Sequence, residues 1–178
     1  LDRFFFGDYF EDHKNLTKIN ADSRNYDAEI LKEIDAIIDL VAISNDPSGE
    51  VFQEATYQIN YESRVRTAKL AKLNGVKRYI LPSSCSIYGF QGKNFIADEK
   101  SPTNPLTSYA KANELAEKEI LPLADESFTV TVIRQATVYG YSPRMRFDLA
   151  INGMTFGAWK QRKLPLMRDG KQWRPMIH

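Results

Sequence analysis

The sequence is poor in the residues that form disulfide frameworks and metal sites. It contains one cysteine, Cys85, and two histidines, His13 and His178, among 178 residues. A single cysteine excludes an internal disulfide and is typical of a reducing compartment, which predicts a cytoplasmic protein. Two histidines so far apart form no ligand motif, so we predict no metal site.

Long apolar runs and excess charge are missing as well. The longest apolar run, AIIDLVAI at 36–43, is interrupted by an acid and is much too short to cross a bilayer. The 24 basic and 23 acidic residues give a net charge of +1, which provides no general reason to expect a nucleic-acid partner. We therefore predict neither membrane nor nucleic-acid binding.

What the chain does contain is a regular alternation of apolar and amphipathic segments. This alternation predicts an α/β fold with a doubly wound parallel sheet, in which ligands bind beyond the carboxyl ends of the strands. The predicted strands are 16–21, 36–43, 77–84 and 128–136, and 164–167 begins a smaller β element. The predicted helices are 26–34, 51–74 with its end at Gly75, 108–121 and 147–161.

Polar or small residues follow four of the apolar segments. Asp2 is suited to accept hydrogen bonds from both hydroxyls of an adenosine ribose, although a turn aspartate has the same appearance. Asp22 is suited to the adenine edge or to capping a turn. AISNDP at 42–47 would let a dinucleotide approach the backbone, or form a plain turn, and SSCSIYG at 83–89 gathers hydroxyls at a strand end.

Taken together, these segments resemble the extended short-chain dehydrogenase/reductase family of nucleotide-sugar epimerases and dehydratases. The resemblance also includes Asn60 in YQINYES and the segments TSYAKANELAEKE, VIRQATVYGYSPR and GKQWRPMIH, so that it covers essentially the whole chain. It implies a Rossmann-like NAD-binding domain over residues 1–146 and the beginning of a substrate-binding region over 147–178. The chain opens without Met, and we expect it to be an internal piece of a longer protein.

The resemblance also implies roles for individual residues. Tyr109 takes the acid/base position, and Ser84 takes the position of the hydroxyl that hydrogen-bonds the same sugar oxygen. The implied cofactor-binding residues are Asp2, Asp22, Ala42, Asn60, Ser83 and Tyr109. The implied substrate-binding residues are Ser86, Asn152 and Arg174, with Arg174 placed where the family binds the nucleotide diphosphate.

One departure from the family concerns the tyrosine helix. Asn113 stands one turn after Tyr109, where the family has a lysine, and Lys111 points nearly the opposite way. An ammonium about 4 Å away at an effective dielectric of about 20 would favour the phenolate by roughly 4 kcal/mol. A neutral amide supplies about 1 kcal/mol. We therefore predict weakened activity, with an engineered or erroneous residue, a slow natural enzyme and a non-catalytic nucleotide binder all remaining open.

A second departure is the missing glycine-rich phosphate loop. The family carries this loop about 20 residues before the ribose acid, which places it before Leu1. Because the loop and the following helix N-terminus hold the pyrophosphate, we expect the 178-residue chain alone to bind NAD poorly.

The residues after Ser84 narrow the expected reaction. Family dehydratases carry an Asp and a Glu there, whereas this chain has Cys85 and Ser86. This favours an NAD-dependent nucleotide-sugar epimerase or ketoreductase acting through a transient keto sugar. The alternative is a weakened or non-catalytic dinucleotide-binding member of the same fold. The resemblance further implies a homodimer formed by helices 51–74 and 108–121.

Overall fold

The computed structural model describes residues 1–92, 95–164, 166, 169–171 and 173–178. The chain divides into two compact units. One comprises Leu1–Arg3 and Asn15–Arg134, and the other comprises Phe4–Lys14 and Gln135–His178. The functional boundary predicted between residues 146 and 147 stays a prediction.

The first unit is built on a three-stranded sheet with the order β1-β2-β3. Its strands are β1 (Ala36–Ile38), β2 (Arg78–Ser84) and β3 (Thr129–Gln135). β1 and β2 are parallel, with Ala36 opposite Arg78 and Ile38 opposite Ile80. The strands predicted at 77–84 and 128–136 are confirmed. The strand predicted over 36–43 is shorter and less buried than expected, because its pairing with β2 ends at Ile38, which is 60% exposed.

The helix predicted over 51–74 is a series of four segments. They are α1 (Asp46–Val51), α2 (Gln53–Tyr57), a π-helical turn (Gln58–Glu62) and α3 (Ser63–Leu73). The series begins earlier than predicted because Asn45 caps α1, accepting a hydrogen bond from Ser48 N at 2.7 Å. It is interrupted at Phe52, whose φ of −119° and ψ of 56° are not helical.

The end of α3 is confirmed at Gly75. Gly75 has a φ of 77°, its N–H donates to Lys72 O at 3.2 Å, and Val76 N donates to Ala71 O at 3.0 Å. These two bonds form a Schellman motif, in which glycine supplies the left-handed residue that stops a helix.

Helix α4 (Ser108–Ile120) starts where the sequence predicted and continues as a 3₁₀ turn at Leu121–Leu123. Thr107 caps it, since Thr107 Oγ1 accepts from Ala110 N at 3.2 Å. Thr107 Oγ1 also donates to Asp46 Oδ1 at 2.6 Å, and Glu50 Oε1 accepts from Ser108 N at 2.6 Å. Two acids of α1 thus fix the N-terminus of α4, where negative charge also complements the helix dipole.

The core of the first unit lies between β2, α3 and α4. Its largest fully buried apolar members include Leu81, Ile120 and Phe128, each of which stabilises the fold by about 2 kcal/mol through removal from water. The core cluster consists of Val65, Ala68, Ala71, Val76, Tyr79, Leu81, Ala116, Ile120 and Phe128.

Two predicted elements before β1 are wrong in extent. Residues 16–21 form no strand and contribute only an isolated parallel bridge between Asn20 and Asp2. The helix predicted over 26–34 is a single 3₁₀ turn, Ala28–Leu31. It stops there because Lys32 is extended and Glu33 has a φ of 64°.

The second unit contains β4 (Thr137–Val138), α5 (Ala150–Gln161) and β5 (Met176–Ile177). β4 and β5 pair in parallel, Thr137 with Met176 and Val138 with Ile177. The prediction of a helix over 147–161 is confirmed for its last three turns. The β element predicted at 164–167 falls partly outside the described residues, because Pro165 and Met167 are not among them.

In the described ranges, the helices are all too short or too polar to cross a membrane.

Candidate active site

The carboxyl end of β2 carries two adjacent serines with different surroundings. Ser83 is buried, and its hydroxyl donates to Glu117 of α4. Ser84 is half-buried, and its Oγ accepts a hydrogen bond from Ser86 N at 3.1 Å, which caps the 3₁₀ turn Cys85–Tyr88. Ser83 therefore connects the strand end to α4, whereas the half-buried Ser84 hydroxyl donates no hydrogen bond within the described ranges.

Tyr109 is the second residue of α4 and is half-buried. Gly49 of α1 lies against it: a Cβ at position 49 would come within 3.2 Å of Tyr109 Cβ and 3.4 Å of Tyr109 N. A side chain at position 49 would therefore require a shift of a few tenths of an ångström, and the glycine lets α1 pack closely against the first turn of α4.

Asn113 lies one turn further along α4 and is engaged at both ends of its side chain. Its Nδ2 donates to Tyr109 O at 2.9 Å, and its Oδ1 accepts from Arg64 Nη1 at 2.7 Å. Only 1% of Asn113 is exposed. The amide thus joins α3 to the backbone of the first turn of α4, which carries Tyr109 and is called the tyrosine turn.

Arg64 itself is 2% exposed, and its neighbours form a buried polar network. Tyr79 of β2 donates its hydroxyl proton to Asp39 Oδ2 at 2.5 Å, and the same hydroxyl lies 3.2 Å from the carbonyl oxygen of Arg64. Burial and the Asp39 carboxylate hold the pKa of Tyr79 well above its usual value, while the charge of Arg64 acts in the opposite direction. Tyr79 therefore stays protonated and donates to Asp39.

Glu117, one of the partners of Ser83, is also paired with a cation. Its Oε2 accepts from Arg134 Nε at 3.0 Å and from Arg134 Nη2 at 2.8 Å. Arg134 Nη1 donates to Tyr88 Oη at 2.9 Å, and hydrogen bonding to Glu117 raises the pKa of Arg134 above its usual value. This network connects α4 to the strand end that carries Ser83 and to β3.

The loop after β1 is shaped by Asn60. Asn60 is fully buried in the π-helical turn, accepts from Ile43 N at 2.8 Å and donates to Ile43 O at 2.9 Å. Ala42, next to Ile43, is half-buried. Both the oxygen and the nitrogen of the Asn60 amide bond to the backbone of Ile43. Asn60 therefore fixes the loop backbone that follows Ala42.

The two acids predicted to meet adenosine lie on neighbouring segments. Asp2 is exposed, and its backbone bonds to both sides of Asn20: Asp2 N donates to Ile19 O at 3.0 Å, and Ala21 N donates to Asp2 O at 3.1 Å. Asp22 follows this bridge and pairs with two arginines, Arg3 at 3.0 Å and Arg24 at 2.7 Å. Hydrogen bonding to Arg24 holds the pKa of Asp22 well below its usual value.

The predicted substrate-binding residues are Ser86 in the first unit and Asn152 and Arg174 in the second. Ser86 Oγ is buried and has no hydrogen-bond partner within the described part of the chain. Asn152 accepts from Gly140 N and donates to Arg146 O, both at 3.1 Å, and Arg174 is exposed next to β5.

Sequence reasoning missed three residues of this region: Arg64, Glu117 and Gly49. For Arg64 a signal was present, because it lies on the same helical face as the small apolar residues Ala68 and Ala71, where a charge is unusual. Glu117 is likewise on the buried face of α4. Nothing local marks Gly49, since its importance comes from packing against another element.

Comparison with known proteins decides the family. The profile of the NAD dependent epimerase/dehydratase family matches residues 6–178. The chain belongs to this family. A Bacillus subtilis (strain 168) protein, an uncharacterized UDP-glucose epimerase, is 28% identical over 156 residues, which cover 85% of this chain and 47% of that protein. An uncharacterized Schizosaccharomyces pombe (strain 972 / ATCC 24843) protein is 31% identical over 132 residues, or 65% of this chain and 34% of that protein.

Solved structures agree with the fold. MoeE5 in complex with UDP-glucose and NAD superposes with a TM-score of 0.79 at 25% identity, covering 90% of this chain and 54% of that one. A UDP-N-acetylglucosamine 4-epimerase from Methanobrevibacter ruminantium M1, in complex with UDP-N-acetylmuramic acid, gives 0.79 at 24% identity over 93% and 54%. The predicted Rossmann-like α/β fold and the NAD-dependent family are confirmed. The chain spans about half the length of these relatives or less.

Proposed function

We propose that the protein is an NAD-dependent nucleotide-sugar epimerase or ketoreductase. In this proposal Tyr109 exchanges a proton with a sugar hydroxyl, and Ser84 hydrogen-bonds the same oxygen. NAD, when bound, supplies the acceptor and donor of hydride. In the epimerase reaction the C–H and O–H bonds of one carbinol break to give a keto sugar. The sugar then turns, and the same hydride and a proton return to the opposite face.

A single observation carries this proposal. Ser84, at the carboxyl end of β2, and Tyr109, in the first turn of α4, are both half-buried, and hydrogen bonds hold each of their elements in place. Carboxyl ends of parallel strands are where ligands bind in such sheets. An accessible hydroxyl and an accessible phenol on rigid elements are the groups that this proton transfer requires.

We propose that the adenosine end of NAD binds at the residues predicted for it. Asp2 offers an exposed carboxylate to ribose hydroxyls, and Ala42 leaves room at a loop that Asn60 holds in one conformation. Ser83 and Asn60 act in this proposal by shaping the site, because their polar groups are already bound within the protein. Asp22, paired with Arg3 and Arg24, would face the adenine edge.

The identity of residues 85 and 86 supports epimerisation or reduction over dehydration. Eliminating water from a sugar requires a further acid and base, and neither Cys85 nor Ser86 is suited to that at neutral pH. We propose that Ser86, whose buried hydroxyl has no hydrogen-bond partner among the described residues, contacts the substrate. Asn152 and Arg174 are proposed to bind the nucleotide-sugar as well.

The second candidate function is dinucleotide binding with little or no chemistry. Asn113 favours it, because a neutral and fully engaged amide occupies the position of the family's lysine. The two candidates differ in one result: an enzyme converts a nucleotide sugar into an isomer or a reduced product, whereas a non-catalytic binder leaves it unchanged.

The experiment uses the intact protein with NAD and a panel of nucleotide sugars, and analyses the products by NMR and liquid chromatography. We expect isomers of at least one sugar. Tyr109→Phe should lower turnover by about 10²- to 10⁴-fold, the usual contribution of a general acid/base, and Ser84→Ala should lower it less. Tyr9→Phe, at an exposed tyrosine, is the matched control and should retain full turnover. Unchanged turnover in Tyr109→Phe would refute the proposed role.

The homodimer and the cytoplasmic location remain predictions. The proposed dimer uses the outer faces of the segments at 51–74 and 108–121. Sedimentation of the intact protein tests this, and a monomer at micromolar concentration would contradict it.

A further inference from the structure

Two hydrogen bonds connect Arg64 of α3 to the tyrosine turn through the side chain of Asn113. Arg64 Nη1 donates to Asn113 Oδ1 at 2.7 Å, and Asn113 Nδ2 donates to Tyr109 O at 2.9 Å. A guanidinium is therefore joined to the backbone of the proposed acid/base residue by two hydrogen bonds and one amide.

Arg64 is not neutralised in the way that a buried arginine usually is. Within the described ranges its guanidinium forms no ion pair with a carboxylate, its one hydrogen-bond acceptor is the neutral Asn113, and its Nε has no acceptor. Burying a cation against a neutral amide is unfavourable, so a merely structural site would be expected to place an apolar residue here. Buried charges that are retained despite this cost are typical of functional sites.

We propose that Arg64 supplies the positive charge of the tyrosine site and positions Tyr109 through Asn113. The inference rests on the proposed function, since it assigns a role to Arg64 in that reaction. In this arrangement the pair formed by Arg64 and Asn113 replaces a single cation at position 113. The long side chain of Arg64 places the charge next to α4 although the residue belongs to α3. Asn113 bonds both to this guanidinium and to the backbone of Tyr109, so it fixes the position of the tyrosine turn relative to the charge.

Arginine suits this role because a guanidinium group is charged throughout the physiological pH range. The charge would stabilise the negative charge that develops on the Tyr109 oxygen as this residue gives its proton to the sugar. Other charged groups lie near this part of the fold. Asp46 and Glu50 of α1 bond to Thr107 and Ser108 at the start of α4, and Lys111 interacts with Glu50. Asp39 accepts the hydrogen bond of Tyr79. Of these groups, the three acids would oppose the effect of Arg64 and Lys111 would add to it.

The first test compares Arg64→Met with Arg64→Lys in the intact protein. Arg64→Met should lower kcat by about 10-fold or more, leave KM for the nucleotide sugar within about twofold, and move the basic limb of the kcat–pH profile to higher pH. Arg64→Lys keeps the charge and should recover a large part of kcat. Arg66→Met is the matched control on the same helix, where Arg66 stacks on Tyr26, and it should change neither kcat nor the pH profile.

The second test moves the charge. Asn113→Lys alone would place an ammonium against the Arg64 guanidinium in a site where both residues are almost fully buried, so its melting temperature should fall by several degrees. The double variant Arg64→Met/Asn113→Lys removes this repulsion. It should melt near the wild-type temperature and have a kcat well above that of Arg64→Met.

The outcomes separate the inference from the proposed function. A folded Arg64→Met variant with wild-type kcat and pH profile overturns the inference alone, as does a folded double variant no more active than Arg64→Met. If Arg64→Met does not fold, Arg64→Lys and the double variant test the inference instead. Both should be active, and loss of activity in either folded variant overturns the inference. Absence of any product from the wild-type protein contradicts the proposed function, and the inference with it.

Discussion

Glu117 and Arg134 form a two-point ion pair, in which Glu117 Oε2 accepts from Nε and Nη2 of the same guanidinium at 3.0 and 2.8 Å. The side chain of Glu117 is 3% exposed and that of Arg134 is 22% exposed. The pair joins α4 to β3, and through Ser83 it reaches the carboxyl end of β2. It therefore determines where the helix that carries Tyr109 lies.

The first prediction is that Glu117→Gln destabilises the protein by about 3 kcal/mol, because it leaves the guanidinium without its buried counterion. Urea unfolding measures the free energy. Asp35→Asn is the matched control, since Asp35 pairs with Lys77 at 3.0 Å on the surface, and it should cost no more than about 0.5 kcal/mol. Equal losses in the two variants would contradict this account.

The second prediction concerns the loop that Asn60 holds. Asn60→Ala leaves the half-buried Ile43 N and O without these partners and should cost about 2 kcal/mol. Because the loop loses its fixed conformation, NAD affinity of the intact protein should fall as well, as calorimetry would measure. Asn74→Ala, which removes one bond to Leu70 O at a helix end, should cost less than about 1 kcal/mol and leave NAD affinity unchanged. Unaltered NAD affinity in Asn60→Ala would show that the loop does not contribute to the cofactor site.

The third prediction compares two glycines with positive φ. Gly89 follows the 3₁₀ turn of the serine segment with a φ of 61°, and a Cβ there would lie 1.8 Å from Asn104 O. Gly75 has a φ of 77° but open space around its Cβ position. Gly75→Ala should cost about 1 kcal/mol from backbone strain alone, whereas Gly89→Ala forces the two loops apart and should lower the melting temperature far more. Similar thermal shifts would indicate that the contact with Asn104 is unimportant.

The fourth prediction is a pH dependence of stability that originates at Asp22. The folded protein lowers the pKa of Asp22, mainly through its hydrogen bond with Arg24, so this carboxylate stabilises the fold above its unfolded pKa of 3.8. The stabilisation is lost as the pH falls below about 4 towards the lower folded value. The unfolding free energy of the wild type should exceed that of Asp22→Asn at pH 6, and the gap should narrow steadily towards pH 2. Arg24→Met, which removes the main cause, should lose the same pH dependence, and a gap that is constant with pH would refute the assignment.

Local sequence signals predicted several elements closely. β2 and α4 start and end within one residue of the predicted limits, 77–84 and 108–121. The threonine cap at position 107 and the glycine stop at position 75 act within one turn of the chain, and such signals are present in the sequence itself.

Other elements depended on partners that local patterns do not reveal. The predicted helix over 51–74 is divided at Phe52 and contains a π-helical turn, in which Asn60 bonds to Ile43. The pattern over 16–21 suits a strand, but only Asn20 finds a bridging partner, in Asp2. A strand exists only where a second strand pairs with it, so its length depends on tertiary contacts.

The same distinction applies to the candidate site. The sequence by itself predicted the fold class through its apolar periodicity and the family through its resemblance, because both are properties of the chain, and the roles of Ser84 and Tyr109 stay proposals. Only the tertiary structure decided that Asn113 meets Arg64, since 49 residues separate them and a hydrogen bond forms wherever folding brings donor and acceptor together. Side chains that are distant in sequence become partners through the packing of α3 against α4, and no local pattern encodes that contact.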